Sequence, residues 1–373
     1  MTEISAAIGF NLIVISPTIA LVGTALVLLF FTITIESNEI VKQSITFIGI
    51  VVTLVCVFLK FGLFFENGIS SYFTQKILLD EFSLFGNVLI SLILLFNFLP
   101  IWDSSKQLKE KTTEAIILIL MSASGFMLMI DSENLIMLFI GLEIGSISLY
   151  ALAGLNRGDK LSNEASLKYF LLGSLASCIL IYGVSLVYVS FSVFSVYNFA
   201  LGLAYVGPDS VPLTTSIGIL LIFIGLLFKI AAAPFQSWAP DVYQGSPTGY
   251  VGFMSSIAKA SSFIVIARLC LVSINFIIED FNIFFLIVII SSALIGSLFA
   301  SIQEDLKRLL AYSGVVQSGF ILSGIVSGSN GTSASMFYLF TYILQLIGIF
   351  IIFSIINGKL SSEFNIQSIQ GLI

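Results

Sequence analysis

The chain has 373 residues, of which 58% are hydrophobic and only 10% are charged, and its mean hydropathy is +1.09. Soluble domains are about half apolar and a quarter charged, so this composition excludes a soluble globular protein and predicts an all-α polytopic membrane protein. Because the chain has no histidine and its three cysteines stand alone in apolar stretches, metal sites that need imidazole or paired thiolates are excluded for this chain by itself.

Apolar runs of about 20 residues, separated by polar breaks, predict about eleven membrane-spanning helices. They lie near residues 9–34, 45–65, 82–102, 114–130, 134–155, 162–193, 214–239, 247–273, 281–301, 306–327 and 334–356. The first run is too long for a signal peptide and has no basic residue before it, so we expect a first spanning helix there. Residues 194–213, with Pro208 and Pro212, are expected to form a connector, and residues 357–373 a polar tail.

Basic residues outside the apolar runs lie almost entirely in alternate connections. Those in or beside odd-numbered connections are Lys42, Lys106, Lys109, Lys111, Arg157, Lys160, Lys307, Arg308 and Lys359, whereas even-numbered connections have only Lys76. The positive-inside rule therefore places the odd-numbered connections on the cytoplasmic or matrix side.

Four ionisable side chains lie well inside predicted helices: Glu143, Lys168, Lys229 and Lys259. Such a side chain costs about 2.5–3.5 kcal/mol at the bilayer centre on insertion scales, so it is retained where it is paired, hydrated or used. Their distribution over four successive helices predicts a path for charge across the membrane. Lys60 and Arg268 lie nearer the ends of their helices, and we expect both to snorkel to the lipid headgroups.

Glu143 lies between two glycines, Gly141 and Gly145, which form a smooth face where a neighbouring helix can approach closely. Lys168 follows in the next helix, and two antiparallel helices can bring it beside Glu143. We therefore expect an ion pair between them, whose charge state responds to its neighbours. A static pair that only fixes the packing of the helices is the alternative.

Lys229 is followed by Pro234, which cannot donate a hydrogen bond to the carbonyl of Ile230 and so breaks the helix. A broken helix at this depth is tolerated where it lines a cavity or the protein interior. Burial disfavours the charged form of a lysine, so we expect Lys229 to exchange protons near neutral pH. Lys259 lies near the middle of the next helix, and two such lysines require water or an anion between them, or one neutral amine. The alternative is a pair of lysines that backbone carbonyls satisfy.

Three segments resemble the antiporter-like membrane subunits of respiratory complex I. Among those subunits, the resemblance is to subunit 2, also called the N subunit. The segments are 228–248, which reads FKIAAAPFQSWAPDVYQGSPT, 164–174, which reads EASLKYFLLGS, and 305–313, which reads DLKRLLAYS. The resemblance covers about residues 80–330.

This resemblance implies a fold of two inverted five-helix repeats, each with one broken helix. It implies N-terminal helices 1–3 over residues 1–105, a first repeat over 106–275, and a partial second repeat with the tail over 276–373. It also implies that Glu143, Lys168, Lys229 and Lys259 form a proton path. NADH, FMN, iron–sulfur clusters and quinone would then be bound by other subunits, with no cofactor in this chain.

The chain departs from the family pattern in two respects. Gln236 and Gln317 stand where the family usually has histidine, and glutamine cannot accept a proton near neutral pH. The family has about fourteen helices, so we expect an incomplete second repeat that another polypeptide completes, or a lost exit path.

We therefore expect a proton-translocating subunit of an NADH:ubiquinone reductase. Its expected partners are antiporter-like and other membrane-arm subunits and lipids, with no nucleic acid. The expected location is the mitochondrial inner membrane, with a bacterial plasma membrane as the alternative. Two other functions stay open: a scaffold subunit of the same complex that does not pump, and a Mrp-type cation/proton antiporter subunit.

Overall fold

The computed structural model describes residues 2–34, 39–107, 112–207, 210–273 and 281–357. In these residues the chain forms thirteen α-helices and one small antiparallel hairpin, β1 (Ser70–Tyr72) with β2 (Ile77–Leu79). The helices are α1 (Thr2–Thr34), α2 (Glu39–Asn67), α3 (Glu81–Gln107), α4 (Thr112–Asp131), α5 (Leu135–Ala153), α6 (Lys160–Phe191), α7 (Val196–Val206), α8 (Leu213–Lys229), α9 (Trp238–Gly245), α10 (Thr248–Arg268), α11 (Asn282–Ser301), α12 (Leu306–Val326) and α13 (Ser329–Asn357).

Ten of the described helices are long and apolar enough to cross a membrane. α8 and α9 are too short to do so separately, but they follow one another across a break of eight residues. Ten spanning helices and one broken helix agree with the expected eleven, so the prediction of an all-α, multi-pass membrane protein is confirmed.

The connector predicted over residues 194–213 contains a helix, α7. The side-chain hydroxyl of Ser195 accepts a hydrogen bond from the backbone N–H of Asn198, which caps the first turn of this helix. Pro208 lies outside the described residues, as do residues 358–373 of the tail and the expected repeat boundary after residue 275. The division into repeats stays a prediction.

Loops that were assigned to the same side of the membrane contact one another. At one end, Ile77 of the hairpin pairs with Ser132, and Asn134 pairs with Ser195. At the other end, the Lys307 amine donates hydrogen bonds to the carbonyls of Gln244 and Ser246, at 2.8 and 2.9 Å. We call these the hairpin end and the basic end.

α10 is the central helix, and every one of its residues is buried. It packs against α3, α4 and α13, among other elements. The peripheral helices α1, α2 and α11 instead expose large apolar side chains, such as Phe58 and Ile283, as lipid-facing helices do. A polar side chain on α10 must therefore find its partner inside the protein.

Candidate functional site

The break between α8 and α9 lies where Pro234 predicts it. Ala231 has a φ of +55°, and the peptide bond before Pro234 is cis. Side chains satisfy the backbone groups that the break releases: the Ser318 hydroxyl donates to the carbonyl of Ile230 at 2.9 Å, and the N–H of Ala233 donates to the Ser292 hydroxyl at 2.9 Å. The broken helix is thus held by α11 and α12 rather than left open.

Lys229 lies at the end of α8 and is buried. Its amine donates hydrogen bonds to the Tyr150 hydroxyl at 2.8 Å and to the Ser146 hydroxyl at 3.1 Å. Both partners are on α5. A lysine that is bound by hydroxyl groups can pass a proton to them or receive one, because each hydroxyl is both a donor and an acceptor.

Glu143 precedes Ser146 by three residues and Tyr150 by seven, so all three lie on one face of α5. Its Oε1 atom is buried and has no hydrogen-bond partner in the described part of the chain. The close approach expected at the glycines is confirmed: a Cβ on Gly141 would lie 2.8 Å from the carbonyl oxygen of Gly125 on α4. Glu143 therefore presents one oxygen without a described hydrogen-bond partner on the face that binds Lys229.

The expected ion pair between Glu143 and Lys168 is wrong. Lys168 lies in the first turns of α6, its side chain is 40% exposed, and its amine pairs with Glu164 and Asp241, each at 2.7 Å. Asp241 also binds Arg308 at 2.6 Å. Because Asp241 is on α9, folding of the break brings this carboxylate to Lys168, and the cluster ties α6, α9 and α12 together.

Lys259, near the middle of α10, is buried and donates a hydrogen bond to the carbonyl of Gly314 at 2.7 Å. Its amine also lies 5.7 Å from the centre of the Tyr342 ring. A cavity of about 10 Å³, lined by Lys229, Lys259 and Ser255 among others, separates the two lysines. That volume is near the minimum for one water molecule.

The two glutamines occupy different environments. Gln236 is half-buried in the break, and its Oε1 atom has no hydrogen-bond partner within the described ranges. Gln317, on α12, accepts a hydrogen bond from the Tyr338 hydroxyl of α13. Gln317 therefore contributes to the packing of these helices.

Lys60 does not snorkel, contrary to expectation. It is fully buried, and its amine pairs with Asp131 at 2.8 Å. The Asn87 amide donates to the other carboxylate oxygen of Asp131 at 2.7 Å. Distance from the end of α2 does not predict this burial, because the partner of Lys60 comes from α4.

Arg268 does not snorkel either. Its guanidinium forms two hydrogen bonds with the Asp80 carboxylate, at 2.9 and 2.6 Å, and donates to the carbonyls of Ile130 and Ser132. The sequence does contain a signal for such acidic partners: several carboxylates flank the predicted spans at the hairpin end, among them Asp80, Asp131 and Glu133. Two buried basic groups near one end required acidic partners of this kind.

Nothing within the described ranges resembles a metal centre: no three Cys, Asp or Glu side chains lie together there in a way that could hold an ion.

Comparison with known proteins gives the same family from sequence and from structure. The family described as "NADH:quinone oxidoreductase/Mrp antiporter, TM" matches residues 132–373. NADH-quinone oxidoreductase subunit N 1 of Solibacter usitatus is 37% identical over 303 residues, which are 80% of this chain and 62% of that protein. The chain thus spans less than two thirds of the length of this relative.

Two solved structures have the same fold. A chain in respiratory complex I from Thermus thermophilus superimposes with a TM-score of 0.74 at 27% identity, over 91% of this chain and 70% of that chain. A chain of the Mrp complex from Dietzia superimposes with a TM-score of 0.78 at 18% identity, over 91% and 64% of the two chains. The second likeness concerns the fold alone. The chain belongs to the NADH:quinone oxidoreductase/Mrp antiporter transmembrane family.

Proposed function

We propose that this chain is a membrane-arm subunit of a proton-translocating NADH:quinone oxidoreductase. The observation that carries the proposal is a lateral line of buried polar groups: Tyr150, Lys229, the small cavity, Lys259 and the carbonyl of Gly314. Isolated buried charges are costly in a membrane protein, and a connected series of them is typical of a proton relay. The similarity to subunit N of Solibacter usitatus supports the same function.

Protons enter this line, in our proposal, from an open groove near the basic end. The groove has a volume of about 520 Å³ and is lined by Tyr150 together with Arg157, Asn163 and Ser166. Tyr150 itself is buried, and its hydroxyl is the acceptor for Lys229. The tyrosine hydroxyl therefore connects the groove with the buried lysine.

The next step crosses the cavity between the two lysines. A single water molecule there would accept a proton from one amine and donate to the other, so the lysines need not be charged at the same time. Lys259 then faces Gly314 and Tyr342, on α12 and α13. Gln236 lies in the break and, in this proposal, holds water rather than protons.

Glu143 and Lys168 have different roles in this scheme. Glu143 lies on the face of α5 that carries the two hydroxyls bound to Lys229, and in this proposal its negative charge offsets the positive charge of that amine. Lys168 acts outside the line: by pairing with Asp241 it holds α9, and with it the break that contains Pro234.

We propose that the redox chemistry resides in partner subunits. NADH, FMN, iron–sulfur clusters and quinone would be bound there, and this chain would contact antiporter-like neighbours and lipid. The location is the mitochondrial inner membrane or a bacterial plasma membrane; the Solibacter relative favours the bacterial membrane.

Substitution of Lys229 tests the proposal in membranes that contain the assembled complex. We expect Lys229→Ala to lower the number of protons moved per NADH oxidised, because the buried relay loses its donor. Tyr150→Phe keeps the aromatic contact with Tyr169 and removes only the hydroxyl. We expect this variant to pump protons about tenfold more slowly, because it loses one hydrogen bond to a charged group.

Lys42→Ala is the matched control, because this lysine lies in the first turn of α2, outside the line of buried groups, and pairs with Glu39. It should leave proton pumping unchanged. An unchanged proton-to-NADH ratio in Lys229→Ala, with the complex intact, would exclude the pumping role and leave the scaffold. Sodium-dependent antiport without NADH oxidation would instead establish the Mrp-type function.

A further inference from the structure

Among the residues that the structure describes, the buried charges at the hairpin end do not balance. Lys60 pairs with Asp131, and Arg268 pairs with Asp80, which leaves the carboxylate of Glu133. Glu133 is only 3% exposed. A buried carboxylate without a cation or sufficient hydrogen bonds is costly, so we expect a partner for Glu133 in its surroundings.

Glu133 is held firmly in place. Its N–H donates to the carbonyl of Lys76 at 3.0 Å, and its carbonyl accepts from the N–H of Val196 at 2.8 Å. The Ser195 hydroxyl donates to its Oε1 at 2.7 Å. The Oε2 atom is buried and has no hydrogen-bond partner among the described residues. Burial raises the pKa of Glu133 from its ordinary value, and the hydrogen bond from Ser195 opposes this shift.

A pocket of about 520 Å³ opens beside this carboxylate, between the hairpin, the start of α3 and α7. Glu133, Asp80 and Arg268 supply its charged lining, together with the exposed Glu81. Much of the remaining lining is apolar and includes Leu78, Phe82 and Val196. The pocket therefore combines an excess of negative charge with an apolar wall.

The chemistry of the lining restricts the ligand. An anion is disfavoured, because Asp80 and two carbonyls already engage the Arg268 guanidinium and the other charged groups are carboxylates. A metal ion needs several oxygen ligands, and no group of three ligating side chains lies in the described part of the chain. A cation that donates N–H hydrogen bonds needs only one free carboxylate oxygen.

We propose that this pocket binds a primary ammonium group on an apolar body, with Oε2 of Glu133 as its acceptor. The ammonium group balances the remaining charge, and the apolar body packs against the wall of the pocket. A soluble amine and the ethanolamine headgroup of a lipid share this chemistry. The inference does not depend on the proposed function.

Binding of benzylammonium to the purified full-length chain in phosphatidylcholine nanodiscs tests the proposal by calorimetry. We expect Glu133→Gln, which keeps the shape of the side chain, to weaken binding about tenfold or more, as expected for a hydrogen bond between charged groups. Ser71→Trp, on the exposed hairpin, should block the pocket while leaving Glu133 in place. Glu304→Gln, an exposed carboxylate at the basic end, is the matched control and should bind like the unsubstituted chain.

The proposal fails if benzylammonium does not bind the unsubstituted chain, or if neutral benzyl alcohol binds as tightly. It also fails if Glu133→Gln binds benzylammonium as tightly as the unsubstituted chain, or if Ser71→Trp does. Nanodiscs that contain phosphatidylethanolamine distinguish the two sources. Competition with benzylammonium there supports the lipid headgroup as the occupant, and unchanged binding supports a soluble amine.

Discussion

The ionisable side chains inside the helices differ in what satisfies them. Lys60 and Arg268 have carboxylate partners, so they are paired charges that join neighbouring helices. Within the described ranges, the hydrogen-bond partners of Lys229 and Lys259 are hydroxyl and carbonyl groups. Because these two amines form no ion pair with any carboxylate that the structure describes, a change of their charge breaks none. This difference separates a structural charge from one suited to proton transfer.

The paired group leads to a prediction for stability. Asp131→Asn should lower the free energy of unfolding by about 3–5 kcal/mol, because it leaves the buried amine of Lys60 without an opposite charge. Chemical unfolding of the purified chain in detergent measures the change. The matched control is Glu39→Gln, which removes the surface pair with Lys42 at 3.5 Å and should cost less than about 1 kcal/mol. Equal losses in the two variants would contradict the prediction.

The broken helix is the element on which the site depends. Pro234 explains why the helix ends, but the geometry of the break is set by groups from other helices. Ser318 binds the carbonyl of Ile230, and the Trp238 indole N–H binds the carbonyl of Phe228 at 3.1 Å. These contacts fix the end of α8 and so fix the backbone that carries Lys229.

Ser318→Ala should destabilise the chain by about 1–3 kcal/mol, because the carbonyl of Ile230 is left buried without its donor. Ser323→Ala, in the same helix, removes an exposed hydroxyl that donates to the carbonyl of Phe320 in its own helix. We expect this control to change the unfolding free energy by less than about 0.5 kcal/mol. A thermal unfolding series in detergent compares them, and similar melting temperatures for both variants would argue against the role of Ser318.

At the scale of the whole molecule, the polar groups form one cluster near each end and a line between the helices. The basic end contains the cluster of Lys168, Asp241 and Arg308, and the hairpin end contains the pairs of Lys60 and Arg268. The lysine line runs from α8 to α10 and on to α12. The ion pairs that join helices therefore lie near the two ends of the molecule, and the amines proposed for proton transfer lie between them.

The two ends should face opposite sides of the membrane. In sealed vesicles, a membrane-impermeant maleimide should label the Thr74→Cys variant from one side and the Glu304→Cys variant from the other, with Glu304 on the cytoplasmic or matrix side. Both positions are exposed in loops. The unsubstituted chain, with Cys56, Cys178 and Cys270, gives the background. Labelling of both variants from the same side would contradict the assigned topology.

The sequence by itself was sufficient for the spans, their alternation and the break at Pro234. These features depend on local properties: the length of apolar runs, the position of basic loops and the missing N–H of proline. The close approach at Gly141 was also predictable, because the absence of a side chain is a local property.

The partners of the charged groups required the tertiary structure. Lys168 meets Asp241, 73 residues away, and Arg268 meets Asp80, 188 residues away. Distance along one helix predicts depth, but not which neighbour supplies the opposite charge. Glu133 likewise has no unusual sequence context; it becomes an unpaired carboxylate because the hairpin and α7 close around it. Which charged groups pair depends on which helices pack together, and only the tertiary structure decides that packing.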